Sequence, residues 1–487
     1  MSTAEARMTK SAAIRARLKH PIIDSDGHIA EFEPAFFDYL KEAGGARLVE
    51  RFKAMDGPYR FGWYTLTPEE RLRTRKPRPG WWLHPTRNAL DRAASSMPRL
   101  LHRRLDQMGL DFTIIYPSIG MFALHLGDEE MRRAACRAFN SLQADIFREY
   151  ADRMTPVATV PMHTPQEAIE ELEHVVKTLR LKAVLMPAFV RRPIPALAEE
   201  HPQASRWAFW LDTFGIDSAY DYDPVWAKCL ELRVAPSFHS PTAGMGMRAS
   251  LSNSMYNHIG HFAASNEAVC KSLFLGGVTR RFPNLRFAFL EGGVGWACTL
   301  LGELVGHWEK HNLEALANVD PASLDREEIG RLLREYGGDY GSERIERWER
   351  ERSHLLWGGP EERANLDEWA RAGIVRKEDI RELFVPKFYF GCEGDDRMTA
   401  LAFDTKKNAF GARLNAIYSS DLGHWDLPNM CDAAAEAWEL VERELLSEDD
   451  FRDFVFANAV RAKTAVNPDF FKGTIVEGAA NSLLANA

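Results

Sequence analysis

Short apolar runs of strand length recur along the chain, separated by longer polar stretches with helical character. The runs fall at 21–23, 110–116, 156–161, 181–186, 234–239, 285–291, 387–391 and 416–420. Helix signals lie between them. The segment 101–109 ends on a Gly stop, and 128–153 reads as one helix. Thr164-Pro165-Gln166-Glu167 offers an N-cap, Pro at the first helical position and Glu at the third, a capping-box pattern. Further helices are expected over 224–232 and 265–280, and from Met430 to the end. Eight strands alternating with helices predict an α/β fold, a (β/α)8 barrel. Such a barrel delivers the C-terminal ends of all its strands to one face.

Three stretches are too long for ordinary barrel connections and read as insertions: about 29–109, 188–222 and 294–386. The first carries RKPRPGWWLHP, too irregular for a helix, whose Trp81 and Trp82 are candidates, with Phe122, for an aromatic pocket. In the third, 325–352 is strongly charged and expected to be helical with a solvated face. Residues 1–20 read as a charged helical leader, 21–475 as a single barrel domain and 476–487 as a C-terminal tail.

Composition narrows the partners. A formal charge of -9 over 487 residues argues against a nucleic-acid surface. The N-terminus lacks an apolar signal region and no run approaches the roughly 20 apolar residues of a membrane span, so a cytoplasmic protein with no membrane partner is expected. Six scattered cysteines without a CxxC pair make a Cys-based zinc site improbable.

The polar strand ends carry the chemistry. Asp26 and His28, at i and i+2, project to one face of the first strand, with Asp24 as a supporting carboxylate. His239 ends the fifth strand, and Asp421 follows the eighth, the neighbour of the first once a barrel closes. Two carboxylates and two imidazoles suit one divalent ion, Zn²⁺ foremost with Mn²⁺ or Fe²⁺ as alternatives, better than Ca²⁺. Such an ion activates water or polarises a substrate oxygen. Asp421 is then a candidate general base, with Glu291 and His424 as further catalytic candidates. Arg191 and Arg192 are placed to meet a substrate carboxylate, and His258, three residues before His261, to face the substrate. Glu393, Asp395 and Asp396 form an acidic loop end after the seventh strand.

The DxDxH first strand, the strand-five His, the Arg-Phe-Pro-Asn-Leu-Arg entry to strand six (281–286), the SDxxHxD segment and the closing FANAVRAKTAVNPDFF (456–471) together resemble the amidohydrolase-related family. That family includes the aminocarboxymuconate-semialdehyde, resorcylate and carboxyvanillate decarboxylases. The resemblance covers roughly 20–475 and implies a barrel holding one divalent metal on Asp26, His28, His239 and Asp421, and a homodimer. Two positions depart from it: an Asp stands at the first ligand position, and Glu291 stands where better-known members carry a catalytic His. Because a carboxylate base suits metal-water hydrolysis, the expectation is a hydrolase of small cyclic or aromatic carbonyl compounds. The alternatives are nonoxidative decarboxylation of an aromatic or unsaturated carboxylic acid, and a non-catalytic barrel stapled by its metal.

Overall fold

The computed structural model describes residues 8–55, 62–80, 84, 87–204, 207–240, 248–320, 323–341, 344–345, 347 and 366–486. Its centre is an eight-stranded parallel sheet in the order β1 (Ile23–Ile29), β2 (Phe112–Pro117), β3 (Met154–Thr159), β4 (Ala183–Pro187), β7 (Pro236–His239), β8 (Phe287–Phe289), β9 (Phe388–Cys392) and β10 (Asn415–Tyr418). The remaining strands, β5 (Val190–Pro193) and β6 (Phe209–Asp212), pair antiparallel within the 188–222 insertion. Strands β1 to β4 are buried along their whole length, as a parallel sheet covered by helices requires.

Backbone bonds just past the strand ends bring the last strand back to the first. Asp421 N donates to Asp26 O at 3.0 Å and His28 N donates to Leu422 O at 2.8 Å. Asp24 adds a side-chain stitch: its Oδ1 accepts from Ser420 N at 2.8 Å and Asp26 N at 3.2 Å, and its Oδ2 from Thr113 Oγ1 at 2.7 Å. The carboxylate expected to support the ligands thus ties β1 to both of its neighbours.

Outside the lumen, Phe238 stacks on Phe289 at 5.5 Å, and Phe289 meets Phe390 and Trp296. His239, the next residue after Phe238, points by strand alternation to the opposite, inner side. The helix Pro165–Glu173 is capped by Thr164 Oγ1, which accepts from Glu167 N, as predicted. The Glu167 carboxylate is engaged elsewhere, by a buried bidentate pair with Arg132 at 2.8 and 3.2 Å. Of the charged stretch 325–352, Arg326–Tyr336 and Gly338–Gly341 are helical, while 342–343, 346 and 348–352 lie outside the described residues, as do Trp81 and Trp82. A helix also occupies Glu477–Ala485, in the stretch read as a tail.

Candidate metal centre and active site

Strand β1 does not run evenly into the site. Asp24 pairs with Thr113 and Gly27 with Ile115, so β1 takes three residue steps where β2 takes two. This one-residue bulge re-aims the strand end. Gly27 permits it, since a Cβ there would stand 2.7 Å from both Asp24 Oδ2 and Thr113 Oγ1. Asp26 and His28 nevertheless converge: His28 Nε2 lies 3.4 Å from Asp26 Oδ1 and 3.3 Å from Asp421 Oδ1. His239 Nε2 lies 4.0 Å from Asp26 Oδ2. All four side chains are buried.

Two overlapping sets could hold a cation, Asp26 with His28 and His239, and His28 with Asp421 and His424, the ligand atoms of each lying within 4.8 Å of one another. Both oxygens of Asp26 and both nitrogens of His28 lack a hydrogen bond among the described residues. Leaving so many polar atoms buried and unpaired is costly unless something binds them. A tetrahedral ion with bonds of about 2.1 Å has ligand-to-ligand edges of about 3.4 Å, and two of the three separations quoted sit at that value. Burial lowers the His28 and His239 pKa values below the ordinary imidazole value, favouring the neutral form that a metal needs. Burial also raises Asp26 and Asp421, with Glu291 adding repulsion to each. A cation would relieve both.

Around this set stand further groups. His424 Nδ1 lies 2.8 Å from Asp421 Oδ1, and its ring stacks on His28 with centroids 3.9 Å apart. Gly423 makes that turn possible: its φ is +100° and a Cβ would strike His28 O at 2.6 Å. Glu291 Oε2 lies 2.7 Å from His239 Nε2. His258, Glu291 and Asp426 converge on the other side of Glu291, and the His258 ring stands against Phe262 at 5.3 Å and Trp425 at 5.5 Å. The site therefore has an aromatic wall beside its polar floor.

Two expected substrate contacts are placed differently. Arg192 donates to Asp212 Oδ2, His163 O and Tyr222 Oη at 2.9, 2.6 and 2.9 Å, so it staples the β5–β6 hairpin and its three guanidinium nitrogens are all engaged. Arg191 is exposed, with its guanidinium 4.7 Å from the Phe209 ring. His261 is buried on the helix His261–Leu275, its ring edge-on to Phe262. Glu393, which burial and Glu291 push towards the protonated form, lies within electrostatic reach of Glu291 and Asp426, whereas Asp396 caps the turn at Met398. Sequence reasoning missed Ser118, whose Oγ is 2.8 Å from His424 Nε2, and gave Asp426 no role. A lone Ser after a strand carries no signal; Asp426 lay within the SDxxHxD segment already singled out.

The family model described as Amidohydrolase matches residues 80–382. The chain belongs to the amidohydrolase family. Among solved structures, similarity extends to a dihydroxybenzoic acid decarboxylase from a Polaromonas species with bound manganese, at 15% identity over 93% of this chain and 99% of that one, with a TM-score of 0.48. A 2,6-dihydroxybenzoate decarboxylase from Rhizobium matches at 13% identity, 91% and 99% coverage and a TM-score of 0.46. A manganese-bound 5-carboxyvanillate decarboxylase from Novosphingobium aromaticivorans matches at 14% identity, 92% and 97% coverage and a TM-score of 0.46. No helix among the described residues is long and apolar enough to cross a membrane.

Proposed function

We propose that Asp26, His28, His239 and Asp421 hold one first-row divalent cation and that this amidohydrolase-family enzyme is a nonoxidative decarboxylase of an aromatic or unsaturated carboxylic acid. The observation that carries this reading is the buried Glu291 carboxyl standing beside the proposed cation site. His239 Nδ1 contacts Ser240 O at 3.2 Å, and a carbonyl oxygen only accepts, so Nδ1 bears the imidazole proton. Nε2 is then the lone pair offered to the cation, and a Glu291 oxygen stands 2.7 Å from it, beside the proposed metal position. Burial first, then the Asp426 carboxyl, raise Glu291 well above the ordinary glutamate range, which favours its protonated form, while burial holds His239 down.

A protonated carboxyl beside the cation site is the acid that decarboxylation needs. The bound cation supplies stabilisation of negative charge on substrate oxygens. As the ring carbon–carboxylate bond breaks, its electron pair stays on the ring carbon. Carbon dioxide leaves, and the Glu291 proton moves to that carbon. Glu291 is left as a carboxylate and is reprotonated by water. Phe262, Trp425 and His258 supply faces and edges against which an aromatic ring packs. Hydrolysis, the chemistry first expected, takes Asp421 as its base, and isotope labelling separates it from decarboxylation.

The test is turnover of a panel of ortho-hydroxybenzoic acids, whose hydroxyl activates the ring carbon, by the Mn²⁺-loaded protein in D₂O. The expected result is carbon dioxide with one deuterium at the vacated carbon, and a kcat loss of about 10²–10⁴-fold in Glu291→Gln. Oxygen-18 from water in a hydrolysed ester or amide product, with no carbon dioxide from any acid, would refute the proposal.

A further inference from the structure

His424 is held at both ring nitrogens. Nδ1 lies 2.8 Å from Asp421 Oδ1, and Nε2 lies 2.8 Å from Ser118 Oγ across the barrel mouth. Asp421 and Ser118 are each 1% exposed and His424 4%, so water does not compete for these contacts. An Asp421 carboxylate ionised towards a cation tolerates only an N–H at Nδ1. That leaves Nε2 as the lone pair, and the Ser118 hydroxyl is its donor. The chain therefore has one direction: Ser118 O–H to Nε2, Nδ1–H to Asp421.

Ser118 is itself pinned. Its N–H donates to Ile29 O at 3.1 Å, extending the β1–β2 ladder by one residue. The next two amides, Ile119 N and Gly120 N, donate to the two oxygens of buried Glu31, each at 2.9 Å. Gly120 allows that approach, because a Cβ there would meet Glu31 Oε1 at 3.1 Å. A loop clamped on both sides of Ser118 holds one hydroxyl at one place. The ring it orients touches two of the four proposed ligands, Asp421 by contact and His28 by stacking.

We infer that Ser118 is a positioning residue that sets the tautomer and plane of His424 and, through it, the orientation of Asp421 in the reaction. The inference rests on the proposed cation site, yet its first test does not need turnover. In ¹⁵N-histidine-labelled protein, metal-free and Zn²⁺-loaded, the His424 resonances are assigned by their loss in His424→Asn. The expected wild-type spectrum shows a protonated Nδ1 and an unprotonated Nε2. In Ser118→Ala the tautomer preference should be lost and kcat should fall about tenfold, the worth of one buried hydrogen bond, at unchanged KM. Ser118→Thr, which keeps the hydroxyl, should restore both. A wild-type His424 protonated at Nε2 overturns the inference even if Ser118→Ala does not fold, and so does a folded Ser118→Ala with wild-type kcat and tautomer. Absence of decarboxylation in wild-type protein with the expected His424 spectrum would instead refute the proposed reaction and leave the positioning intact.

Discussion

Asp24→Ala tests whether the barrel's closing stitch also holds the proposed cation site. Asp24 is wholly buried and accepts from Asp26 N, Ser420 N and Thr113 Oγ1. Truncation strands two backbone N–H groups, while the Thr113 hydroxyl is able to rotate. At about 1–3 kcal/mol for each buried group left unpaired, the two amides alone cost about 2–6 kcal/mol. Some of that is offset, because burial already raises the Asp24 carboxyl above its ordinary pKa and its removal relieves that burden. A loss of about 3 kcal/mol is therefore expected in urea unfolding at pH 7. The amides released belong to Asp26 itself and to the residue before Asp421. Mn²⁺ affinity should accordingly fall about 10–100-fold, as when a hydrogen-bond partner behind a ligand is removed. Asp24→Asn keeps an oxygen for the amides and presents its NH₂ to Thr113, so it should lose less than about 1 kcal/mol. An Asp24→Ala protein that binds Mn²⁺ as tightly as wild type and loses under about 1 kcal/mol would refute the reasoning.

Glu31 carries a pH signature: burial raises its carboxyl from 4.5 to about 7 against the opposing pull of the Ile119 and Gly120 amides. A raised folded-state pKa lends stability that is whole below the unfolded value and lost as pH rises through about 7. Unfolding free energies of wild type minus Glu31→Gln should thus fall by roughly 3 kcal/mol between pH 4.5 and 7.5, and a flat difference would contradict the assignment. Arg132→Ala leaves Glu167 charged and buried with Leu126 O unpaired, so a loss of about 3–5 kcal/mol is expected in chemical denaturation; a loss below about 1 kcal/mol would show that water reaches the pair. Mn²⁺ added at about a hundred times its Kd should stabilise chelator-treated protein by about 2.7 kcal/mol, seen as a rise in Tm. The rise should vanish in His28→Asn, and a variant that still responds would place the cation elsewhere.

The strand ends were legible because strand period and polar residue type are local properties. Asp26, His28, His239 and Asp421 each follow a run that is buried along its length, and a parallel barrel has one face on which to gather them. What was not legible depends on partners far away in the chain. Ser118 acquires meaning only when His424, 306 positions later, lies 2.8 Å from its hydroxyl. Arg192 looked like a substrate clamp because nothing local says that Asp212 and Tyr222 will use its donors. Glu291 stood as a catalytic candidate without a fixed role, because the sequence does not show what surrounds its carboxyl. Burial and the Asp426 carboxyl raise its pKa, and both are matters of placement.

The backbone at the two decisive carboxyls makes the same point in energy. Glu291 has φ +56° and Asp421 φ +50°, the left-handed region that a residue with a Cβ enters at a cost of roughly 1–2 kcal/mol. Neither residue type signals that conformation as Gly or Asn would. Each is held there by bonds on both sides. Leu290 N reaches Phe238 O at 3.0 Å, Asn266 grips Leu290 O at 2.8 Å and Gly293 N reaches Gly391 O at 3.0 Å; at the other strand, Asp421 N reaches Asp26 O at 3.0 Å. Both residues stand over the same buried cluster of ionisable groups, and Gly at either position would remove the conformational cost. It is accounted for if a carboxyl is required at each of those two points: one to hold a cation, the other to deliver a proton beside it.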